Sequence, residues 1–217
     1  MTPANLPPSA SRVVAGANKR LIAPSAERNR DAILAVLQRH APESGRALEL
    51  ASGTGQHISH FASCLPNLVW QPTEVDVDRI ESIKAWRAAS GCDNLLAPQI
   101  LDATRPGWAR EMTGYDLVYL VNLLHLISKP GAQTVITEAC RLLNQGGVLL
   151  AYGPFLRDGR TISAGDRAFD AELRAADPDI GYKDATDIAH WMQEAGLEDV
   201  AQIEMPANNL VITGTRR

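Results

Sequence analysis

Apolar positions along this chain alternate between two spacings, and the alternation predicts its architecture. Across 26–40 (AERNRDAILAVLQRH), Ile33, Leu34 and Leu37 fall on one helical face. Pro24-Ser25 precedes them, with Ser25 placed to cap the free N–H groups, and Pro42 and Gly45 stop the helix. A short apolar run at 47–51 then ends in a glycine turn, and helical spacing follows through Ile58, Phe61, Ala62 and Leu65. Further strands are predicted at 68–73, 95–101, 115–121 and 148–152. Helices through Ile80 and Ile83, and through Val135, Ile136, Ala139, Leu142 and Leu143, lie between them, the latter ending at Gly146-Gly147. The run YDLVYLV has almost no polar interruption, as expected of a strand covered on both faces in a parallel sheet. After Tyr152 come a polar loop (153–165), helices at 167–176 and 184–195, and VAQIEMPANNLVITGT, two strands joined by a turn so short that they must be antiparallel neighbours. The expected fold is α/β: a doubly wound, seven-stranded Rossmann-like sheet whose last strand runs backwards.

Ahead of this pattern, Pro3, Pro7 and Pro8 and clustered turn formers predict a flexible arm over 1–24, placed to close over something, before one domain at 25–217. With 217 residues, 45% hydrophobic and 21% charged, no internal linker divides that domain. Cys64, Cys92 and Cys140 are an odd count without CxxC or Cys/His spacing, which argues against a disulfide framework or a metal site and for reduced thiols in the cytoplasm. No run of 18 apolar residues exists, and prolines stand where a signal peptide is apolar, so neither a membrane span nor export is expected. A net charge of -4, with no Lys/Arg block longer than Arg216-Arg217, removes the footprint of duplex nucleic acid.

The candidate chemistry starts at Leu48-Glu49-Leu50-Ala51-Ser52-Gly53-Thr54-Gly55-Gln56-His57, where the first strand turns into a helix. Ligands bind at such strand ends in open α/β sheets. Gly53 and Gly55 allow the turn and bring backbone N–H groups close to a ligand, with Ser52 beside them. Ile58 occupies the position where a dinucleotide fingerprint needs glycine or alanine, and no Lys-Ser/Thr follows for a phosphate loop. NAD and nucleoside triphosphates are thereby disfavoured. Glu49 ends a buried strand, where a carboxylate needs compensation. A ligand ammonium suits it; bracing the turn is the alternative. Glu74 lies 19 positions beyond Gly55, the distance at which such folds place an acid for ribose hydroxyls, and Asp76 competes for the role. Asp102-Ala103 ends the third strand near where an adenine edge would lie, with Trp108 a candidate to cover the ring. Helix capping is the plain alternative for each acid.

ELASGTG resembles the E/D-x-G-x-G-x-G turn of class I S-adenosylmethionine-dependent methyltransferases, with Ala51 in place of the first glycine. YDLVYLVNLLHLI and EACRLLNQGGVLLAYGPF are similar to that superfamily's fourth strand and the passage into its fifth. More narrowly, SAERNRDAIL, ASGTGQH, WQPTEVD, YGPF and MPANN resemble the methyltransferase-like 26 family, from Ser25 to Thr213. The resemblance implies S-adenosyl-L-methionine as cofactor; the side chains in the loops after the fourth and fifth strands suit a small polar or anionic methyl acceptor, and a cytoplasmic monomer or homodimer without membrane or duplex nucleic acid partners is expected. Arg28, at a helix start where the dipole disfavours a cation, is a candidate for the cofactor carboxylate or an acidic acceptor, a solvated side chain being the alternative; Asn29 and Asn122 join the cofactor set. His125, in Asn122-Leu123-Leu124-His125, is the candidate general base, with Tyr152 beside it, since imidazole titrates near neutrality. Phe155, Arg160, Asn208 and Asn209 are the candidate acceptor contacts, although asparagines also simply make turns. A silent S-adenosylmethionine-binding protein is the competing reading. A protein or RNA methyltransferase is disfavoured, because the Asn/Asp-Pro-Pro-Tyr/Phe tetrad is absent after the fourth strand.

Overall fold

A computed structural model describes residues 6, 7, 10, 12–112 and 114–217; the rest of the predicted arm lies outside the described residues. Within that arm, β1 (Val14–Ala15) and β2 (Leu21–Ile22) pair as a small antiparallel hairpin. The hairpin is tied to the domain: Leu21 N donates to Ser82 Oγ (2.8 Å) and Trp86 Nε1 donates to Leu21 O (2.9 Å).

The domain follows the predicted alternation. Its elements are α1 (Pro24–His40), β3 (Gly45–Leu50), α2 (Gln56–Cys64), β4 (Leu68–Glu74), α3 (Val77–Ser90), β5 (Gln99–Ile100), β6 (Tyr115–Val121), α4 (Lys129–Leu142) and β7 (Leu143–Pro154). Then come α5 (Ala164–Ala176), α6 (Ala185–Glu194), β8 (Leu197–Glu204) and β9 (Asn209–Arg216). The sheet order is β5-β4-β3-β6-β7-β9-β8, parallel among the first five, with β9 antiparallel to both its neighbours. Because β9 is inserted between β7 and β8, the β8–β9 turn returns to the carboxyl edge, where Pro154 faces Asn209. Alternate residues of the central strands feed two cores. Trp70, Tyr119 and Tyr152 pack with Ile33, Leu37 and Phe61 on the α1–α2 side; Val118, Leu120 and Leu149 pack with Val135, Ile136 and Trp191 on the α4–α6 side.

Three local expectations are corrected. Helix α1 opens on Pro24 with Ala23 as its N-cap, and Ser25 caps nothing, because proline at the first turn needs no N–H partner. The third strand shrinks to Gln99–Ile100: Pro98 has no N–H to give, so Leu95 keeps only an isolated bridge to Trp70. Helix α4 ends at Leu142 rather than at the glycines, since Arg216 Nη1 donates to the carbonyls of Cys140, Arg141 and Leu143 (3.0, 2.7 and 2.9 Å) and satisfies the helix end from the neighbouring strand.

Candidate active site

The β3–α2 turn is built by residues that bend the chain the left-handed way. Ala51, Gly53 and Gly55 have φ of 53°, 56° and 88°. At Gly55 a Cβ would stand 2.9 Å from the Ile83 Cα, so glycine there lets α3 close on the turn. Ser52 clips the turn to β4: its N–H donates to Thr73 O (2.8 Å) and its Oγ accepts from Thr73 N (3.2 Å). Thr54 O accepts from Ser82 Oγ (2.7 Å), the same hydroxyl that holds Leu21, so turn and hairpin share a support.

Three carboxylates from successive strands meet beside this turn. Glu74 Oε2 accepts from Gly53 N (2.9 Å) and its Oε1 from Val75 N (2.7 Å), which fixes the acid against the turn. Asp102 Oδ1 accepts from Thr104 N and Thr104 Oγ1 (3.0 and 2.6 Å). Glu49 is 2% exposed and its Oε2 makes no hydrogen bond among the described residues. Burial pushes its pKa up to about 8, Glu74 adds to the rise, and Ser52 and Tyr119 oppose it. The carboxyl is thus mostly protonated at neutral pH until a cation reaches it.

These groups line a single cleft at the carboxyl edge, with Ser52, Gly53, Ala103 and Asn122. Asn122 is itself left-handed (φ 57°), and its N–H donates to Tyr152 O at 2.9 Å. The three carboxylates and the aliphatic side chains of Val75, Leu101, Leu123 and Ile127 line the cleft. Such a slot suits a nucleoside carrying a cationic tail.

A family model described as a protein of unknown function (DUF938) matches residues 20–216. The chain belongs to the DUF938 family. Its fold is similar to that of an O-methyltransferase family protein from Burkholderia thailandensis, with a TM-score of 0.74 and 20% identity over 88% of this chain and 56% of that one. It is similar also to human N-acetylserotonin methyltransferase in complex with SAM (TM-score 0.73, 14% identity, 88% and 52% of the two chains). The mitomycin 7-O-methyltransferase MmcR gives a TM-score of 0.73 at 14% identity, over 89% and 54%. The DUF938 chain therefore spans little more than half the length of these structures, and what it shares with them is the fold.

Other predicted site residues of this DUF938 protein stand elsewhere. Asp76 caps α3, accepting from Asp78 N and Arg79 N (2.9 and 3.1 Å), and Gly55 lies behind the turn. Arg28 and Asn29 flank the buried hydroxyl of Tyr152, where they moderate the rise in pKa that burial causes. His125 is not among the residues lining the cleft: it is 4% exposed, with its ring edge-on to Phe169 (5.8 Å) and Tyr182 (6.1 Å). Burial, then Lys183, pushes its pKa down to about 3, against the pull of Asp170, and keeps it neutral. Phe155 is core, and Arg160 is exposed at a shallow depression with Arg167 and Arg174. Asn208 Nδ2 donates to Asp166 Oδ2 (3.0 Å), and Asn209 braces its own turn through Pro206 O (3.1 Å). Trp108 is buried in the core and donates to Ala103 O (2.9 Å) from beneath. Arg160, Asn208 and Asn209 thus do not line the cleft: the two asparagines are held by Asp166 and by their own turn, and Arg160 is exposed elsewhere.

One lining residue that the sequence reading passed over is His57, two positions past Gly55 in the first turn of α2. Its Nε2–H donates to Asn29 Oδ1 (2.7 Å), which sets the tautomer and ties α1 to α2. Burial, followed by the His60 and Arg30 charges, lowers its pKa to about 4. A histidine opening the helix after a ligand turn was the available signal. Leu126, Arg79 and the described arm residues Leu6, Ala10, Arg12 and Val13 also line the cleft.

Proposed function

We propose that this protein is a class I S-adenosyl-L-methionine-dependent methyltransferase acting on a small molecule. The observation that carries the reading is the meeting of Glu49, Glu74 and Asp102, from three successive strand ends, around one cleft beside the Gly53 turn. The residues fit the cofactor at a specific point: Glu49 Oε2 is buried and without a hydrogen bond among the described residues, in the position a ligand ammonium would fill. Glu74 takes the ribose hydroxyls, and Asp102 and Ala103 the adenine edge. When bound, the cofactor would supply an electrophilic methyl group for in-line transfer to an acceptor lone pair. The chain's own contribution is alignment and exclusion of water. His125, buried outside the cleft with its protonated form disfavoured, is assigned no proton in this reading.

The narrower resemblance to the methyltransferase-like 26 family favours the same reading from Ser25 to Thr213, with 1–24 as a covering arm on domain 25–217. Three free cysteines support a reducing, cytoplasmic setting. The protein works as a monomer or homodimer in this proposal, without duplex nucleic acid or membrane partners. Mass spectrometry of a metabolite extract incubated with the protein and methyl-labelled cofactor tests it: a labelled small molecule that depends on the protein is the expected result. Cofactor binding with no labelled product from any extract would favour the silent binding protein instead.

A further inference from the structure

The cleft continues past the residues assigned to the cofactor. Leu6, Ala10 and Leu126 line it and also pack on an apolar cluster set apart from the two sheet cores. Leu156 after β7, Phe169 and Leu173 of α5, and Ile180 and Tyr182 before α6 make up that cluster. Of its described residues, the arm packs one leucine side chain and one alanine methyl on the cluster. Among its described residues from 6 to 13, the hydrogen bond is internal, Ala10 N to Pro7 O (2.9 Å). The hairpin that follows is anchored by Ser82 and Trp86, whereas Leu6 and Ala10 meet the cluster through apolar contact.

Several charges beside the cluster are held by protein partners. Lys183 Nζ donates to the carbonyls of Ile127 and Gly181. Asp170 accepts from Tyr182 N (2.6 Å) and from Arg174 (2.9 Å), and Asp166 caps α5 through Ser163 while receiving Asn208. His125 presents a neutral ring to Phe169 and Tyr182. A charged ligand would lose hydration among these apolar side chains, whereas an apolar body would replace Leu6 and Ala10 like for like.

We propose that this cluster is the acceptor pocket, and that the acceptor is an uncharged molecule with an aromatic or aliphatic body that displaces Leu6 and Ala10. The proposal rests on the methyl-transfer reading and narrows it, away from the polar or anionic acceptor that Arg160 and the asparagines suggested. His125 then stands at the pocket wall, beside the incoming group.

The test uses the full chain with 2-naphthol as probe and 2-naphthoate as its anionic counterpart, titrated at neutral pH with and without S-adenosylhomocysteine. The proposal expects 2-naphthol to bind at least about tenfold more tightly than 2-naphthoate. Leu6→Asp, on the arm and outside the folded core, should raise naphthol affinity severalfold. Phe169→Asp should lower it about tenfold or more while S-adenosylhomocysteine affinity stays within about twofold. Equal or tighter binding of 2-naphthoate, or naphthol affinity indifferent to both substitutions, would overturn the pocket. Failure of S-adenosylhomocysteine to bind would overturn the methyl-transfer reading instead, and the naphthol titration without cofactor separates the two failures.

Discussion

Glu49 links the stability of the fold to what the cleft binds. With its pKa raised to about 8, the folded protein holds a proton that the unfolded chain releases in the usual carboxylate range. Stability from this group is therefore complete below that range and is lost as pH rises through about 8, by a few kcal/mol if the shift is fully expressed. Glu49→Gln should flatten that decline, raising Tm at pH 8–9 far more than at pH 5. Cofactor binding at pH 7 should release close to one proton, read by calorimetry in buffers of different ionisation heat, and none in Glu49→Gln. A wild-type protein that releases no proton on binding would remove the ammonium assignment. At this scale the sequence was legible where chemistry and spacing coincide: Gly53, Glu49, Glu74 and Asp102 all border the cleft. It was not legible for Asp76, Asn208 and Asn209, because an acid at a helix start and asparagines in a turn serve the backbone with the same side chains a ligand would use.

Elements were legible wherever apolar spacing was long and uninterrupted, as in β6 and α4, and illegible where a tertiary partner decided the boundary. Nothing near Leu142 announces the end of α4; the cap comes from Arg216, far along the chain. Pro98 did carry a local signal, and its missing N–H explains why β5 is a two-residue edge. Ala51 is the informative departure in the glycine turn, an alanine at φ 53° where the superfamily pattern has glycine. The left-handed backbone costs alanine about 1–2 kcal/mol, whereas glycine loses about 0.4–1 kcal/mol more chain entropy on folding. Ala51→Gly should thus be neutral to stabilising by up to about 1 kcal/mol, a Tm rise of up to roughly 4 °C in thermal melts. A marked fall in Tm would mean that the Ala51 methyl makes a contact worth more than the strain.

The strand order turns at β3 and β6, and the carboxyl ends beside that switch point carry Glu49, the glycine turn and Asn122. Helices on both faces leave this edge as the place where a ligand meets the sheet, and Leu6, Ala10, Arg12 and Val13 line part of it. Deleting residues 1–19 removes Arg12 and Val13 from the cleft wall, so the cofactor off-rate should rise severalfold in stopped-flow kinetics, whereas an unchanged off-rate would deny the arm a covering role. The fold class was legible at this scale because five βα repeats leave few alternatives; the path of the arm was not, since its contacts with α3 and α5 are long-range and unpatterned. The central claim, that this cleft holds S-adenosyl-L-methionine through strand-end acids, is tested most directly by calorimetric titration of S-adenosyl-L-methionine into the wild-type protein and Glu74→Ala. One equivalent should bind to the wild type, and the variant should bind roughly ten- to a hundredfold more weakly, as expected for about 1.5–3 kcal/mol of charged hydrogen bonding to the ribose. Equal affinity in the two proteins, or tighter binding of NAD than of S-adenosyl-L-methionine by the wild type, would contradict it.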